Sequence, residues 1–264
     1  MRRDSRMRPS AAAAALLALL PRARAVSMGA PADVGQFPWL VTLHWSGSQN
    51  GVKTFCGGVL VSPQWALTAA HCVRGGSGAH GYVQLPLAPG APQLNVVEVH
   101  SHPAWVALGE HDIAVLKLEH AAWAPPARLA CAPSAWGMLP ANAMLTVAGA
   151  GLNETNLLSA RVASARVPAV GGSCTYPSVP LLKSQVLRDA CAGTCCSRAL
   201  HPTACPGDSG GPLFDDAGTV YGLVSRGDAS HGCGRAIAPD VYTFLAQNCA
   251  FVRDTIHAGG GELV

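Results

Sequence analysis

Short apolar or alternating runs recur along the chain at close intervals. They cover Trp39–His44, Gly58–Ser62, Trp65–Thr68, Leu94–Val99, Ile113–Leu118, Met144–Ala148 and Thr219–Ser225. Clusters rich in Gly, Pro, Ser and Asn, such as Gly75–Gly81 and Gly171–Ser173, lie between these runs. Short strands separated by such turns predict an all-β barrel or sandwich whose loops carry the function.

The C-terminal stretch alone predicts a helix, on the apolar residues Phe244, Phe251, Val252 and Ile256. The tail that follows, Ala258–Val264, is expected to be frayed. No internal repeat or linker divides the chain after its first 25 residues. We therefore expect one compact unit.

Residues 1–25 have the pattern of a secretory signal peptide. Basic residues at the start are followed by an apolar run, Ala11–Leu20, and then by the small-residue pattern Ala23-Arg24-Ala25. The run is too short for a membrane anchor, which needs about 20 helical residues. The prediction is that residues 26–264 form a secreted, extracellular protein without a membrane segment.

The charge and the cysteines exclude some classes of partner. Six of the 18 Lys and Arg and one of the 15 acids lie in residues 1–25, which leaves 12 basic and 14 acidic residues. That balance gives no reason to expect a nucleic acid or an anionic membrane as a partner.

Ten cysteines in a secreted chain favour disulfides, because no Cys-x-x-Cys or nearby His-x-x-x-His supports a zinc site. Asn153, in Asn153-Glu154-Thr155, is a candidate glycosylation site.

Three motifs carry the chemistry. Thr68-Ala69-Ala70-His71-Cys72 comes first, His111-Asp112-Ile113-Ala114 second, and Gly207-Asp208-Ser209-Gly210-Gly211 last. In this order they resemble the motifs of the trypsin/chymotrypsin family of serine peptidases, and the resemblance extends from about Val26 to Ile256. It implies an all-β fold of two six-stranded antiparallel β-barrels, with the active site in the cleft between them and a C-terminal helix.

The resemblance assigns His71, Asp112 and Ser209 to a catalytic triad. A serine hydroxyl is a weak nucleophile at neutral pH, so it needs a base within hydrogen-bonding reach, and the pKa of histidine suits that role. Asp112 would hold the His71 imidazole in the required tautomer. The backbone N–H groups of Gly207 and Ser209 would form an oxyanion hole. Ser225 resembles the residue whose hydroxyl supports the triad aspartate.

The other histidines have no matching motif. His111 is expected to point to the opposite face of its strand from Asp112. The remaining ones are expected at surface or loop positions: His44, His100, His102, His120 and His257.

The resemblance also implies an activation ion pair. The new N-terminal residue of the family falls at Val26, which cleavage after Ala25 would expose. Asp208 would be the buried partner of its α-amino group, and breaking such a pair typically costs about 3 to 5 kcal/mol. We therefore expect the secreted protein to need no separate propeptide.

Three disulfides are implied by the resemblance: Cys56–Cys72, Cys174–Cys191 and Cys205–Cys233. The partners of Cys131, Cys195, Cys196 and Cys249 stay open, although Cys131 with Cys249 is a candidate pair because the connection between the barrels passes the C-terminal helix in this fold. Leu145 and Asp215 occupy two positions where the family often has a further bridge. Their joint replacement indicates the loss of a whole bridge.

The pocket for the substrate residue before the cut departs from that of trypsin-like members. Its expected lining residues are Thr203, Ala204, Ser225, Gly227 and Asp240. Thr203 stands where trypsin-like members have an acid at the pocket floor, and Asp240 stands on the opposite wall, where the family usually has glycine. Two interpretations of Asp240 stay open.

In the first interpretation, Asp240 selects a Lys or Arg side chain of the substrate. In the second, it pairs internally with Arg226 or Arg235 and leaves a shallow site for small or apolar side chains.

The predicted function is that of a serine endopeptidase acting on proteins or peptides through an acyl-enzyme, with protein protease inhibitors as candidate partners. We expect a monomer without a cofactor. No metal is expected either, because Val73–Val97, the region of the calcium loop in some relatives, contains no acid. The alternative is a non-catalytic homologue that acts as a binding protein.

Overall fold

The first half of the chain closes into a β-barrel in the computed structural model. The structure describes residues 26–27, 29–47, 53–75, 80–88, 90–105, 111–131, 143–152, 162–168, 204–227, 233 and 240–263. Several predictions lie outside these residues: the signal peptide at 1–25, Asn153, Thr203, Arg235, the pair Cys174–Cys191, and Cys195 and Cys196.

The described residues form short strands and one C-terminal helix. The strands are β1 (Ala30–Pro31), β2 (Leu40–Ser46), β3 (Lys53–Ser62), β4 (Trp65–Thr68), β5 (His80–Gln84), β6 (Leu94–Ser101), β7 (Ala114–Leu118), β8 (Arg128–Leu129), β9 (Met144–Gly149), β10 (Ala163–Pro168), β11 (Pro212–Phe214), β12 (Thr219–Arg226) and β13 (Val241–Phe244). A 3₁₀ turn covers Ala70–Val73, and helix α1 covers Leu245–Ala258.

Strands β2 to β7 form the barrel, in the order β2-β3-β4-β7-β6-β5. All of its pairs are antiparallel. The apolar runs of the sequence correspond to β2, β3, β4, β6 and β7. Their fully buried side chains include Leu43, Leu60, Leu67 and Leu116.

The sequence did not predict β5, because this strand begins inside the cluster Gly75–Gly81. Gly81 lies opposite Trp45 of β2, and a side chain at Gly81 would collide with the Trp45 ring. Glycine within a strand often marks such a close approach. Here it marks a strand position and not a turn.

Strand β1, from the start of the chain, joins the strands of the second half in a sheet with the order β1-β10-β9-β11-β12-β13, and β8 is a parallel partner of β12. Val147, Leu213 and Tyr242 are buried in its core. The all-β prediction with a C-terminal helix is confirmed. Within the described residues the second unit appears as this seven-stranded sheet.

Helix α1 buries Leu245, Val252 and Ile256 against the core. The prediction of a frayed tail after it is wrong for the described residues. The Ser62 hydroxyl donates a hydrogen bond of 2.7 Å to the carbonyl of Glu262, and Gly261 lies so close to Trp65 that a side chain there would collide with the indole. The tail therefore packs against the barrel.

The described cysteines form three bridges. Two of them, Cys56–Cys72 and Cys205–Cys233, are pairs that the resemblance implied. The third joins Cys131, just after β8, to Cys249 in α1. It decides a pairing that the sequence left open.

The structure also accounts for the bridge that the sequence lacks. Phe214 of β11 pairs with Thr146 of β9, so Asp215 and Leu145 are the next residues on the two chain segments. Leu145 is buried, and the Asp215 carboxylate accepts N–H groups of Ala217 and Thr219 at 2.9 and 2.8 Å. Apolar packing and a capped turn thus replace the covalent link.

Candidate active site

His71 lies in the 3₁₀ turn after β4, where it contacts Asp112. Its Nδ1 is 2.7 Å from Oδ2 of Asp112, and its backbone N–H donates to Oδ1 at 2.9 Å. Because an ionised carboxylate can only accept hydrogen bonds, Nδ1 is the donor. In the neutral imidazole, Nε2 is then left as the nitrogen that can take up a proton.

Asp112 is 5% exposed and lies two residues before β7. Its Oδ2 accepts a second hydrogen bond, of 2.6 Å, from the Ser225 hydroxyl, and its backbone carbonyl accepts one of 3.0 Å from the Thr243 hydroxyl. Burial by itself raises the pKa of Asp112, but the hydrogen bonds and charge of His71 and the Ser225 hydrogen bond outweigh it and hold this pKa below its ordinary value. Asp112 is therefore held as an anion in a fixed orientation.

Ser209 lies in a tight glycine loop beside His71. The Sγ of Cys72 is 3.7 Å from Nε2 of His71 and 3.8 Å from the carbonyl oxygen of Ser209. That carbonyl accepts the N–H of Gly57 at 2.7 Å, which ties the loop to β3. Gly210, at a φ of 79°, lies so close to Thr68 and Gly57 that no side chain would fit.

Three of the five backbone N–H groups in the loop Gly207–Gly211 donate hydrogen bonds to backbone carbonyls. Those of Asp208, Gly210 and Gly211 donate to backbone carbonyls at 2.9, 2.6 and 2.9 Å. Among the described residues, the N–H groups of Gly207 and Ser209 donate none, and both residues are half-exposed. Two backbone donors beside the serine are thus available to a ligand.

Asp208 is fully buried under this loop, next to Val26. Its Oδ2 accepts the N–H of Val26 at 3.3 Å and that of Cys205 at 2.8 Å, and Oδ1 accepts the N–H of Gly151 at 2.8 Å. Burial raises the pKa of Asp208 to about 6 against these three hydrogen bonds. Val26 is itself buried, so the two residues that the sequence paired are in contact.

Of the expected pocket residues, Ala204, Ser225, Gly227 and Asp240 lie in the described part of the chain. The Asp240 carboxylate is fully buried, and its Oδ2 accepts the N–H of Ala204 at 2.7 Å. Oδ1 lies directly beneath Gly227, so close that a side chain at Gly227 would collide with it. Ala204, Gly227 and Asp240 are thus in contact, and Gly227 follows Ser225 by two residues.

The structure corrects the expectation for His111 and for His44. His111 precedes β7 and has a φ of 57°, and its Nδ1 is 2.8 Å from Oδ1 of Asn248 in α1. The ring stacks on His102 at a centroid distance of 4.2 Å. Burial, followed by the charge of His111, lowers the pKa of His102. His44 lies within β2, where it stacks on Tyr82.

A cluster of Cys56, His71 and Cys72 has ligand atoms close enough together to hold a metal ion. The two cysteines form a disulfide with each other, so neither offers a thiolate.

No helix among the described residues is both long and apolar enough to cross a membrane.

Comparisons with known proteins agree with this geometry. The family model described as Trypsin matches residues 26–252. The chain belongs to the trypsin family, a family of serine proteases.

Among curated proteins, the chain is similar to Serine protease 56 of Mus musculus, with 34% identity over 249 residues, 88% of this chain and 38% of that protein. It is also similar to Protein masquerade of Drosophila melanogaster, with 31% identity over 250 residues, 89% of this chain and 23% of that protein. Kallikrein-4 of Homo sapiens shows 31% identity over 224 residues, 78% of this chain and 79% of that protein. The chain thus spans less than two fifths of the length of the first two relatives.

Two solved structures share the architecture. The structure of HL collagenase has a TM-score of 0.73 at 21% identity, covering 87% of this chain and 98% of that one. The structure of neuropsin, a serine protease expressed in the limbic system of mouse brain, has a TM-score of 0.67 at 23% identity, covering 87% and 99%. At these identities the likeness shows the fold alone, which is the trypsin-like double-barrel fold.

Proposed function

We propose that the chain is a secreted serine endopeptidase, with Ser209 as nucleophile, His71 as general base and acid, and Asp112 as the residue that orients His71. The observation that carries the proposal is the hydrogen-bonded series Ser225–Asp112–His71, which ends beside a serine whose loop has two unused N–H donors. These are the parts that acyl transfer to a serine requires.

In the first half of the reaction, Oγ of Ser209 attacks the carbonyl carbon of the peptide bond while Nε2 of His71 takes the hydroxyl proton. The N–H groups of Gly207 and Ser209 stabilise the oxyanion that forms. His71 then gives its proton to the leaving amine, and the C–N bond breaks to leave an ester on Ser209. Losing one such oxyanion donor typically costs about 100- to 1,000-fold in rate.

In the second half, a water molecule attacks the ester carbonyl and passes a proton to His71. The proton returns to Oγ of Ser209 as the ester bond breaks and the carboxylic acid product leaves. Asp112 stays ionised throughout and stabilises the imidazolium. No cofactor enters either half of this mechanism.

A fluorophosphonate probe tests this function, because it captures only a serine that its neighbours have activated. We expect covalent labelling of the folded protein at Ser209 and loss of labelling in Ser209→Ala. Ser101→Ala, at an exposed serine at the end of β6, should label as the wild type does. A correctly processed, folded protein that stays unlabelled would instead favour the non-catalytic binding homologue.

Secretion and the start of the active protein belong to the same proposal. Cleavage of the signal peptide after Ala25 would free the α-amino group of Val26, whose nitrogen is already 3.3 Å from Asp208. The resulting ion pair would hold the loop that carries Gly207 and Ser209. N-terminal sequencing of the active secreted protein should begin at Val26; residues retained before Val26 in active protein would exclude this route.

A further inference from the structure

A pocket of about 710 Å³ opens where the start of β2 meets strands β9 and β10 and the turn after β11. Its volume lies within the range of about 300 to 1,000 Å³ that is typical of ligand sites. We call it the Trp39 pocket, and its lining residues include Phe37, Trp39, Thr146, Ser164, Phe214 and Asp216. Neither the loop Gly207–Gly211 nor the series Ser225–Asp112–His71 contributes to this lining, so the pocket is a second site.

Three aromatic rings form the apolar part of the Trp39 pocket. The ring of Phe214 lies edge-on to Phe37 and to Trp39, at centroid distances of 5.0 and 4.9 Å. Phe37 and Trp39 are each 8% exposed and Phe214 is 4% exposed, so the core holds all three rings in place. An apolar side chain could be buried against these rings without ordering them first.

The indole N–H of Trp39 is a donor that the protein leaves unused. The ring packs on Phe37 and Phe214, but its Nε1 donates no hydrogen bond to any of the described residues. An atom added at Gly218, which lines the pocket, would be 3.8 Å from Nε1, so this edge of the ring lies on the pocket side. Because an indole N–H can only donate and a largely buried donor normally has a partner, a ligand here should supply an acceptor.

Two hydroxyl groups on the walls complement this donor. Thr146 of β9 and Ser164 of β10 are half-exposed and line the pocket, and neither hydroxyl is hydrogen-bonded to a described residue. A hydroxyl group can accept a hydrogen bond as well as donate one. A peptide bond matches this set, since its carbonyl can accept from Trp39 and a neighbouring N–H can donate to a hydroxyl.

The charges of the lining favour a neutral acceptor over a carboxylate. Asp215, Asp216 and Arg166 line the pocket, which gives one net negative charge. Asp215 already accepts hydrogen bonds from Ala217, Thr219 and Tyr221. Asp216 pairs with Arg166 and is exposed at the rim. A carboxylate ligand would be repelled there, whereas a basic side chain would be attracted.

We propose that the Trp39 pocket binds an extended peptide segment of a partner protein. The segment places an aromatic side chain against Phe37 and Phe214, a backbone carbonyl on the N–H of Trp39, and a Lys or Arg beside Asp216. This inference does not rest on the proposed function, because none of these residues takes part in the hydrolysis of a peptide bond. A protein held here would stay attached whether or not it is cut at Ser209.

The indole N–H signals of isotope-labelled Ser209→Ala test the proposal, since this variant should not cleave a peptide. The probe is acetyl-Phe-Lys-amide. The chain has six tryptophans, and Trp39→Phe in the same background identifies the signal of Trp39 as the one that disappears. We expect the probe to move this signal downfield in a saturable way and to leave the other indole signals in place. A Trp39 signal that does not respond to the probe would overturn the proposal.

A blocking variant that keeps the indole gives an independent test. Ser164→Gln puts a longer side chain at a half-exposed position of β10 that lines the pocket. The Trp39 signal should remain visible, and the probe should bind at least about 10-fold more weakly. Val97→Gln, at an exposed position of β6 outside the pocket, should bind the probe as the parent does. Unchanged binding in Ser164→Gln would show that the probe lies elsewhere.

The charge of the probe tests the assigned partner. Acetyl-Phe-Glu-amide has the same amide groups with the opposite charge, and we expect it to bind about threefold more weakly than the Lys probe. Asp216→Asn should reduce this difference, and Asp254→Asn, at an exposed acid of α1, should keep it. Equal binding of the two probes would overturn the assignment of a basic segment. A Trp39 signal that moves with protein concentration alone would instead assign the pocket to a second copy of the chain.

Discussion

The charge of Asp208 depends on which nitrogen lies beside it. With a peptide nitrogen at Val26, burial raises the pKa of Asp208 from 3.8 to about 6. The folded protein then binds this proton more tightly than the unfolded chain does, so folding stability falls as the pH rises from about 4 to 6. With a free α-ammonium group at Val26, the carboxylate would gain a positive partner and this loss would disappear.

This reasoning predicts different pH dependences for two forms of the protein. A form that retains Ala23-Arg24-Ala25 before Val26 should lose on the order of 1 to 2 kcal/mol of unfolding free energy between pH 5 and pH 7.5. A form that starts at Val26 should lose clearly less. Urea unfolding of both forms at the two pH values measures the difference, and titrating groups that both forms share and that lie away from Asp208 cancel in the comparison. Equal losses would show that Asp208 does not pair with the new N-terminus.

At the level of elements, α1 supports the segment that contains Asp112. His111 donates from Nδ1 to Oδ1 of Asn248, and the amide nitrogen of Asn248 donates at 2.5 Å to the carbonyl of Phe244, at the start of the helix. His111 is held at a positive φ by these contacts and by the stack on His102. The helix thereby fixes the backbone next to Asp112.

Asn248→Ala is therefore expected to destabilise the fold. It removes two hydrogen bonds from a residue that is 2% exposed and leaves the His111 ring without its acceptor, which typically costs about 1 to 3 kcal/mol. Urea unfolding at neutral pH measures the change. Gln247→Ala, at the exposed neighbouring position, should stay within about 0.5 kcal/mol; similar losses in both variants would mean that helix propensity, and not the contact with His111, is responsible.

Two kinds of element illustrate what the sequence could and could not predict. Apolar runs predicted β4 and β12 because strands that are largely buried are apolar over several consecutive residues, which is a local pattern. No local pattern predicts β5, because Gly81 is a glycine only for the sake of Trp45, which lies opposite it on β2. No local pattern predicts the parallel pairing of β8 with β12 either. These depend on contacts between residues far apart in the chain.

For the whole molecule, motif order predicted which residues meet at the site, since His71, Asp112 and Ser225 are hydrogen-bonded as the resemblance implied. Motif order could not decide whether Asp240 pairs with an arginine of the same chain, because that depends on where charged side chains lie in three dimensions. The prediction of a frayed tail after α1 was wrong for a similar reason. Its glycines look flexible, yet Gly261 is required by the Trp65 ring beneath it.

The bridge between Cys131 and Cys249 has a consequence for a chain that has been nicked. Of the three described bridges, Cys56–Cys72 and Cys205–Cys233 each lie within one half of the fold, whereas Cys131–Cys249 joins the end of the first half to the C-terminal helix. A protease that cut anywhere between residues 132 and 142 would leave both fragments covalently attached. On a gel such a nicked protein would run as one species until a reductant separated it into two.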